Sequence, residues 1–140
     1  MELFNSIEEK YSYVNALVYI ASVDQNICKE EKEKIQNFCK IYGITNEELV
    51  NKIFLNCCNK QLALDEILKP ITRKNQRIAL INDLLALCFA DGTYSEVEKD
   101  TIVTISSILD IENEKIQQLE TLHFESMELN RKFVQILELQ

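Results

Sequence analysis

The stretch Asn82–Glu98, which reads NDLLALCFADGTYSEVE, has a counterpart in the first half of the chain. The segment 15–53 aligns without a gap on 82–120 at a constant offset of 67, and ten of the 39 aligned pairs are identical. Several further pairs match apolar with apolar residues, such as Ile20 with Leu87 and Phe38 with Ile105, as a shared fold requires. Two acidic pairs are also shared: Asp24 with Glu31, and Asp91 with Glu98. Because core packing does not ask for carboxylates seven residues apart, these four side chains are the candidates for a functional site.

The composition indicates a helical protein with short connections. The chain has 140 residues, of which 46% are hydrophobic and 27% are charged, so residues 1–140 are expected to form a single domain with a real core. It contains only two Gly and one Pro. A β-rich fold needs turn residues at regular intervals, and these are not available. The fold class predicted from the sequence is therefore all-α.

The net charge of −8 restricts the classes of partner. Nucleic acids and anionic membrane surfaces are bound through clustered Lys and Arg, so neither is expected as a partner. Cationic partners and metal ions are compatible with this charge, which can equally serve solubility alone. There is no apolar run of 18 residues, and the segment Met1–Asn5 lacks the basic start of a signal peptide. No membrane insertion is predicted, and the expected location is the cytoplasm.

Sequence motifs for catalysis are weak. The only histidine is His123, and its neighbours Leu122 and Phe124 are apolar, so it reads as a packing or surface residue. There is no Gly-rich phosphate loop, and no organic cofactor is expected. The five Cys have no zinc-site or disulfide spacing and are interpreted as small apolar fillers in a reducing compartment. The sequence therefore predicts a protein that is not an enzyme.

Helical periodicity and capping signals divide the chain into seven or eight helices. Ser6 is a candidate N-cap for the first, and Gly43 stands where a left-handed residue ends the second. Capping boxes are predicted at Thr45–Glu48 and Ser95–Glu98. The segment 73–90 is apolar around much of its circumference, which places it at the centre of the fold. The predicted helices cover 6–22, 29–42, 45–54, 62–69, 73–90, 95–109, 113–122 and 126–139.

The acidic pairs allow two interpretations, helix caps or metal ligands. Glu98 is the third helical residue of a capping box, which explains it by stability alone. Glu31 occupies the same place, but its cap partner would be Cys28, a poor acceptor. Asp24 and Asp91 follow the end of a helix, where the dipole disfavours a carboxylate. The spacing excludes an EF-hand loop, and carboxylates without soft ligands would select a hard cation such as Ca²⁺, Mg²⁺ or Mn²⁺.

The two loops and their flanking helices resemble the TerB-like family, which is associated with bacterial tellurite resistance. The best match runs from Leu84 to Gly92 and on to Glu98, and a weaker copy runs from Leu17 to Glu31. The similarity covers residues 10–122, with Gln25 where the family pattern has Gly. The resemblance implies an all-helical domain of two pseudo-twofold halves with an acidic, metal-binding surface. Related domains also occur in larger proteins, where they look like interaction modules.

The sequence leads us to expect one of two functions. The first is a stress-associated cytoplasmic module that binds a divalent cation through Asp24, Glu31, Asp91 and Glu98. The alternative is a non-catalytic protein–protein interaction scaffold, in which the acidic loops are only caps and turns. Protein partners are expected in either case. The amphipathic C-terminal helix either covers the core or presents a face for a partner or for a homodimer.

Overall fold

The computed structural model describes residue 4 and residues 6–23, 29–44, 63–90 and 94–138, with the backbone alone for 29–31. These residues form α-helices joined by turns and contain no β-strand, so the prediction of an all-helical fold is confirmed for them. The helices are α1 Ile7–Ala21, α2 Lys29–Ile41, α3 Leu64–Leu68, α4 Lys74–Cys88, α5 Glu96–Ile108 and α6 Asn113–Glu138.

The predicted number of helices is wrong for the described part of the chain, which holds six and not seven or eight. The two short helices predicted over 113–122 and 126–139 are one continuous helix, α6. Residues 123–125 (His-Phe-Glu) contain no Gly, Pro or capping residue, so nothing there interrupts the backbone hydrogen bonds. The helix predicted to open at Thr45–Glu48 lies outside the described residues.

The helix bounds recur at the offset seen in the sequence. Each bound of α4 lies 67 residues after the corresponding bound of α1, and the same holds for α5 and α2. The helix ends are also alike: Gly43 has φ 75° and Asp110 has φ 57°. The next residues, Ile44 and Ile111, donate backbone hydrogen bonds to the carbonyls of Cys39 and Ser106. The arrangement of the two halves around a pseudo-twofold axis stays a prediction.

The helix starts follow the predicted capping chemistry. Ser6 Oγ accepts a hydrogen bond of 3.2 Å from the Glu9 N–H at the start of α1. The residue before α4 is Arg73, and no serine caps this helix. The backbone N–H of Arg73 instead donates to Gln76 Oε1 at 3.3 Å. Gln76 also donates its side-chain amide to Glu9 Oε1 at 3.0 Å, which joins the first turns of α1 and α4. Side chains thereby satisfy N–H groups that a helix start leaves without partners.

The core lies between α1 and α4, with the other helices around them. Helix α4 contacts α1, α2, α5 and α6, which confirms that the segment predicted as 73–90 is central. Its apolar residues are buried on several faces because neighbours surround it. The fully buried side chains of α1 and α4 include Tyr13, Val14, Leu17, Val18, Leu80, Ile81, Leu84, Leu85 and Leu87. Only Ile116 of α6 is buried, so most of that helix extends along the surface.

Candidate functional site

The structure describes only part of the predicted metal site. Asp24 and Asp91 lie outside the described residues, and for Glu31 the backbone alone is described. Glu31 is the third residue of α2, and Glu98 is the third residue of α5. Glu98 is therefore the predicted ligand whose side chain the structure describes.

Glu98 forms the predicted capping box. Its Oε1 accepts a hydrogen bond of 2.9 Å from the Ser95 N–H, and Ser95 Oγ accepts one of 3.1 Å from the Glu98 N–H. The Glu98 side chain is buried, with 6% of its surface exposed. A buried carboxylate is stable only when its oxygens are hydrogen-bonded, and the cap provides one such bond. The predicted capping box of Ser95 and Glu98 is thus confirmed.

Tyr94 lies beside this cap at the start of α5. Its hydroxyl oxygen is buried and makes no hydrogen bond of standard geometry to the described residues. Burial raises the pKa of the Tyr94 phenol, and the nearby carboxylates of Glu120 and Glu98 raise it further. The Lys99 ammonium lies 5.5 Å from the centre of the Tyr94 ring. The α4–α5 loop therefore ends among carboxylates from two helices, α5 and α6.

The part of the chain that the structure describes contains no group of three or more His, Cys, Asp or Glu side chains able to hold a metal ion together. The two described cysteines, Cys39 and Cys88, form no disulfide and are buried, as expected for apolar fillers. Burial raises the pKa of the Cys39 thiol, so it is not activated as a nucleophile or ligand.

A second polar cluster was not predicted from the sequence. Asp83 on α4 accepts hydrogen bonds from two phenols: Tyr13 of α1 donates to Oδ2, and Tyr42 donates to the same atom at 2.9 Å. Phe4 packs edge-on against both rings, with centroid distances of 5.0 Å and 4.9 Å. The one signal in the sequence is an aspartate within the most apolar segment. Its partners are 70 and 41 residues away, so no local pattern could identify them.

Burial dominates the electrostatics of this cluster. It raises the pKa of Asp83 above its usual range, while the hydrogen bonds from Tyr13 and Tyr42 and the charge of Lys34 oppose the rise. Burial and the Asp83 carboxylate raise the pKa of Tyr42 to about 12 and that of Tyr13 further. Both phenols therefore remain protonated donors at neutral pH. The cluster joins α1, α4 and the end of α2, which is a structural role.

His123 also has structural partners. Its Nε2 lies 2.9 Å from Asn82 Oδ1, and its ring stacks on Phe89 at a centroid distance of 5.8 Å. Burial, followed by the charge of Lys34, lowers the pKa of the imidazole. The ring forms part of the wall of an open cleft of about 530 Å³ between α2, α4 and α6, together with Phe133. The expectation that His123 is a packing or surface residue agrees with these contacts.

Comparison with known proteins finds a matching family and a similar solved structure. The family model described as tellurite resistance protein TerB matches residues 16–121. The chain belongs to the TerB family. The TerB-family fold is also seen in the crystal structure of a tellurite resistance protein from Nostoc punctiforme, which is 26% identical in sequence and has a TM-score of 0.67. That similarity covers 98% of this chain and 86% of the other. No curated protein sequence that was compared matches this chain significantly.

The TerB-family helices described here differ from membrane-spanning segments. Within the described ranges, none of them combines the length and the apolar character needed to cross a bilayer. Helix α6 is long, with 26 residues, but it carries charged residues throughout. Its apolar residues form a face and not a complete circumference.

Proposed function

We propose that this TerB-family domain is a non-catalytic stress module of the cytoplasm whose acidic loops bind a divalent cation, Ca²⁺, Mg²⁺ or Mn²⁺. One observation carries the proposal. The α1–α2 loop and the α4–α5 loop connect helices whose bounds recur at an offset of 67, and each loop has an Asp and a Glu at the same two places. Each Asp comes three residues after the helix ends, and each Glu is the third residue of the next helix. A cap requirement alone does not explain the Asp.

The chemistry of the donors fits a hard cation. The hydrogen bond from the Ser95 N–H uses one of the roughly four lone-pair sites of the Glu98 carboxylate, so the cap by itself does not exclude a cation. Two carboxylates in one loop do not fill the six to eight positions that Ca²⁺ prefers, so main-chain carbonyls and water would complete the shell. A bound cation would also neutralise part of the local negative charge.

The link to tellurite rests on family membership and on the similarity to the tellurite resistance protein from Nostoc punctiforme. A role in resistance does not require a reaction at this site, because a module that senses or buffers a cation acts through binding. His123 is engaged by Asn82 and Phe89, which supports a non-catalytic function. The proposed module acts by changing its stability or its partner binding when the cation is bound.

Calorimetric titration with each of the three cations tests the proposal. We expect heat of binding and a higher melting temperature in the presence of the cation. A cation at a concentration of 100 times its dissociation constant adds about 2.7 kcal/mol to the free energy of unfolding. Asp91→Asn and Glu98→Gln should abolish both effects. Glu96→Gln is the matched control, because Glu96 lies in the same helical turn but is exposed. Absence of heat and of any shift at millimolar metal would remove the proposal.

The second candidate function is a protein-interaction scaffold without a ligand. Two observations favour it: Glu98 is buried in its cap, and α6 exposes large apolar side chains. In this case the wild type and Glu98→Gln should melt at the same temperature, with and without metal, because Gln also serves at the third position of a capping box. A metal-dependent difference between the two proteins would contradict the scaffold reading.

A further inference from the structure

Helix α6 carries an exposed apolar stripe, which we call the α6 seam. It consists of Leu122, Leu129, Phe133 and Ile136, each with more than half of its surface exposed. The intervals between them are seven, four and three residues. This is the spacing of the a and d positions in a heptad repeat, with Phe133 at a and the others at d. Side chains in such a seam normally pack against a second helix.

The seam borders the face by which α6 contacts its own domain, and its residues Leu129 and Phe133 also line the open cleft between α2, α4 and α6. The contact face itself includes Ile116, Leu119, His123 and Met127, which are buried or half-buried. At 100° per residue, Leu129 and Phe133 lie well over a quarter turn from Met127. The contacts with α4 and α5 therefore hold the helix in place and leave the seam accessible.

We propose that the α6 seam is the interface of an antiparallel homodimer, and this proposal is independent of the cation site. In antiparallel coiled coils, a residues of one helix face d residues of the other. With Leu122 facing Phe133 of the second copy, Ser126 faces Leu129. The same register brings Glu125 beside Lys132 of the second copy, and the twofold symmetry makes this attractive pair occur twice.

Charge complementarity is what identifies a second copy as the occupant. Glu125 and Lys132 both flank the seam and are exposed. In a parallel pair, Glu125 would instead lie beside Asn130, and Lys132 beside Leu137, which brings no opposite charges together. The helix is already folded on its domain, so association does not have to nucleate it. This lowers the entropic cost of pairing.

Sedimentation equilibrium over a range of protein concentrations tests the interface. The wild-type chain is expected to show a monomer–dimer equilibrium. Leu129→Asp should shift the chain to monomer, because it buries two carboxylates in the seam. Val103→Asp is the control and should leave the dimer unchanged, since Val103 is similarly exposed but lies on α5. Circular dichroism should show equal helicity in all three proteins. A wild type that is monomeric at every concentration overturns the proposal.

Charge exchange tests the register. Glu125→Lys alone should raise the dimer dissociation constant about tenfold, because it turns two attractions into two repulsions. Lys132→Glu alone should do the same. The double variant with both changes should restore the wild-type constant, since the pairs are again opposite in sign. A double variant as weak as the single variants would overturn the antiparallel arrangement.

Discussion

At the residue scale, the Asp83 carboxylate connects α4 to Tyr13 of α1 and to Tyr42 at the end of α2. Hydrogen bonds to a charged group contribute about 1.5–3 kcal/mol, and a buried carboxylate that loses a donor also bears a desolvation cost. Tyr13→Phe keeps the buried ring and removes the donor. We expect it to lower the free energy of unfolding by about 2 kcal/mol, measured by urea denaturation. Tyr11→Phe, on the same helix but outside this network, should change it by less than about 0.5 kcal/mol.

The same carboxylate makes stability depend on pH. Because burial raises the pKa of Asp83 in the folded state, the folded protein holds the proton more tightly than the unfolded chain. The contribution of that proton is complete below the unfolded value of about 3.9 and is lost as pH rises through the higher folded value. Relative to Asp83→Asn, which cannot titrate, the wild type should therefore lose stability as pH rises through this window. Parallel pH profiles of the two proteins would contradict the assignment.

At the element scale, side chains at the helix starts decide where the helices begin. Ser95→Ala removes the acceptor for the Glu98 N–H and should cost about 1 kcal/mol of the free energy of unfolding. Ser107→Ala is the control, because Ser107 lies exposed near the end of the same helix. Its effect should stay within about 0.5 kcal/mol. Equal losses in the two variants would mean that Ser95 contributes no cap.

Gly43 and Asp110 both have a positive φ just after a helix end, and substitutions at the two positions are expected to change stability in opposite directions. Gly43→Ala should destabilise by about 1 kcal/mol, because a Cβ is disfavoured at φ 75°. Space is not the cause, since the added Cβ would lie 3.7 Å from Lys10 Nζ. Asp110→Gly should stabilise by up to about 1 kcal/mol, because Asp110 adopts φ 57° with a side chain present. Thermal denaturation of both variants measures the sign, and the same sign in both would refute the explanation.

At the scale of the whole molecule, α4 is the helix around which the others pack. Leu84 is fully buried at its centre, so Leu84→Ala should leave a cavity and cost about 2–5 kcal/mol of the free energy of unfolding. Val103→Ala, at an exposed position on α5, should cost less than about 0.5 kcal/mol. Denaturant unfolding with a common slope for all three proteins measures the difference. A small loss at Leu84 would mean that the core lies elsewhere.

Much of this organisation could be predicted from local patterns. The cap at Ser95 with Glu98 and the helix end at Gly43 depend on residues within one turn, so they are visible in the sequence. The division of α6 into two helices failed because no breaker supports it. For the candidate metal site, the sequence identified both acidic pairs. The structure supplies the surroundings of Glu98 alone.

The sequence by itself determined the helical fold class, the recurrence of helix bounds at 67 residues and the caps at Ser6 and Ser95. Helix formation is set by hydrogen bonds and side chains a few residues apart, so these features need no knowledge of packing. Only the tertiary structure decided that Asp83 lies between Tyr13 and Tyr42, and that α6 leaves an apolar seam exposed. The contacts of Asp83 and the exposure of the α6 seam depend on how helices distant in sequence pack together, and no local sequence pattern contains that information.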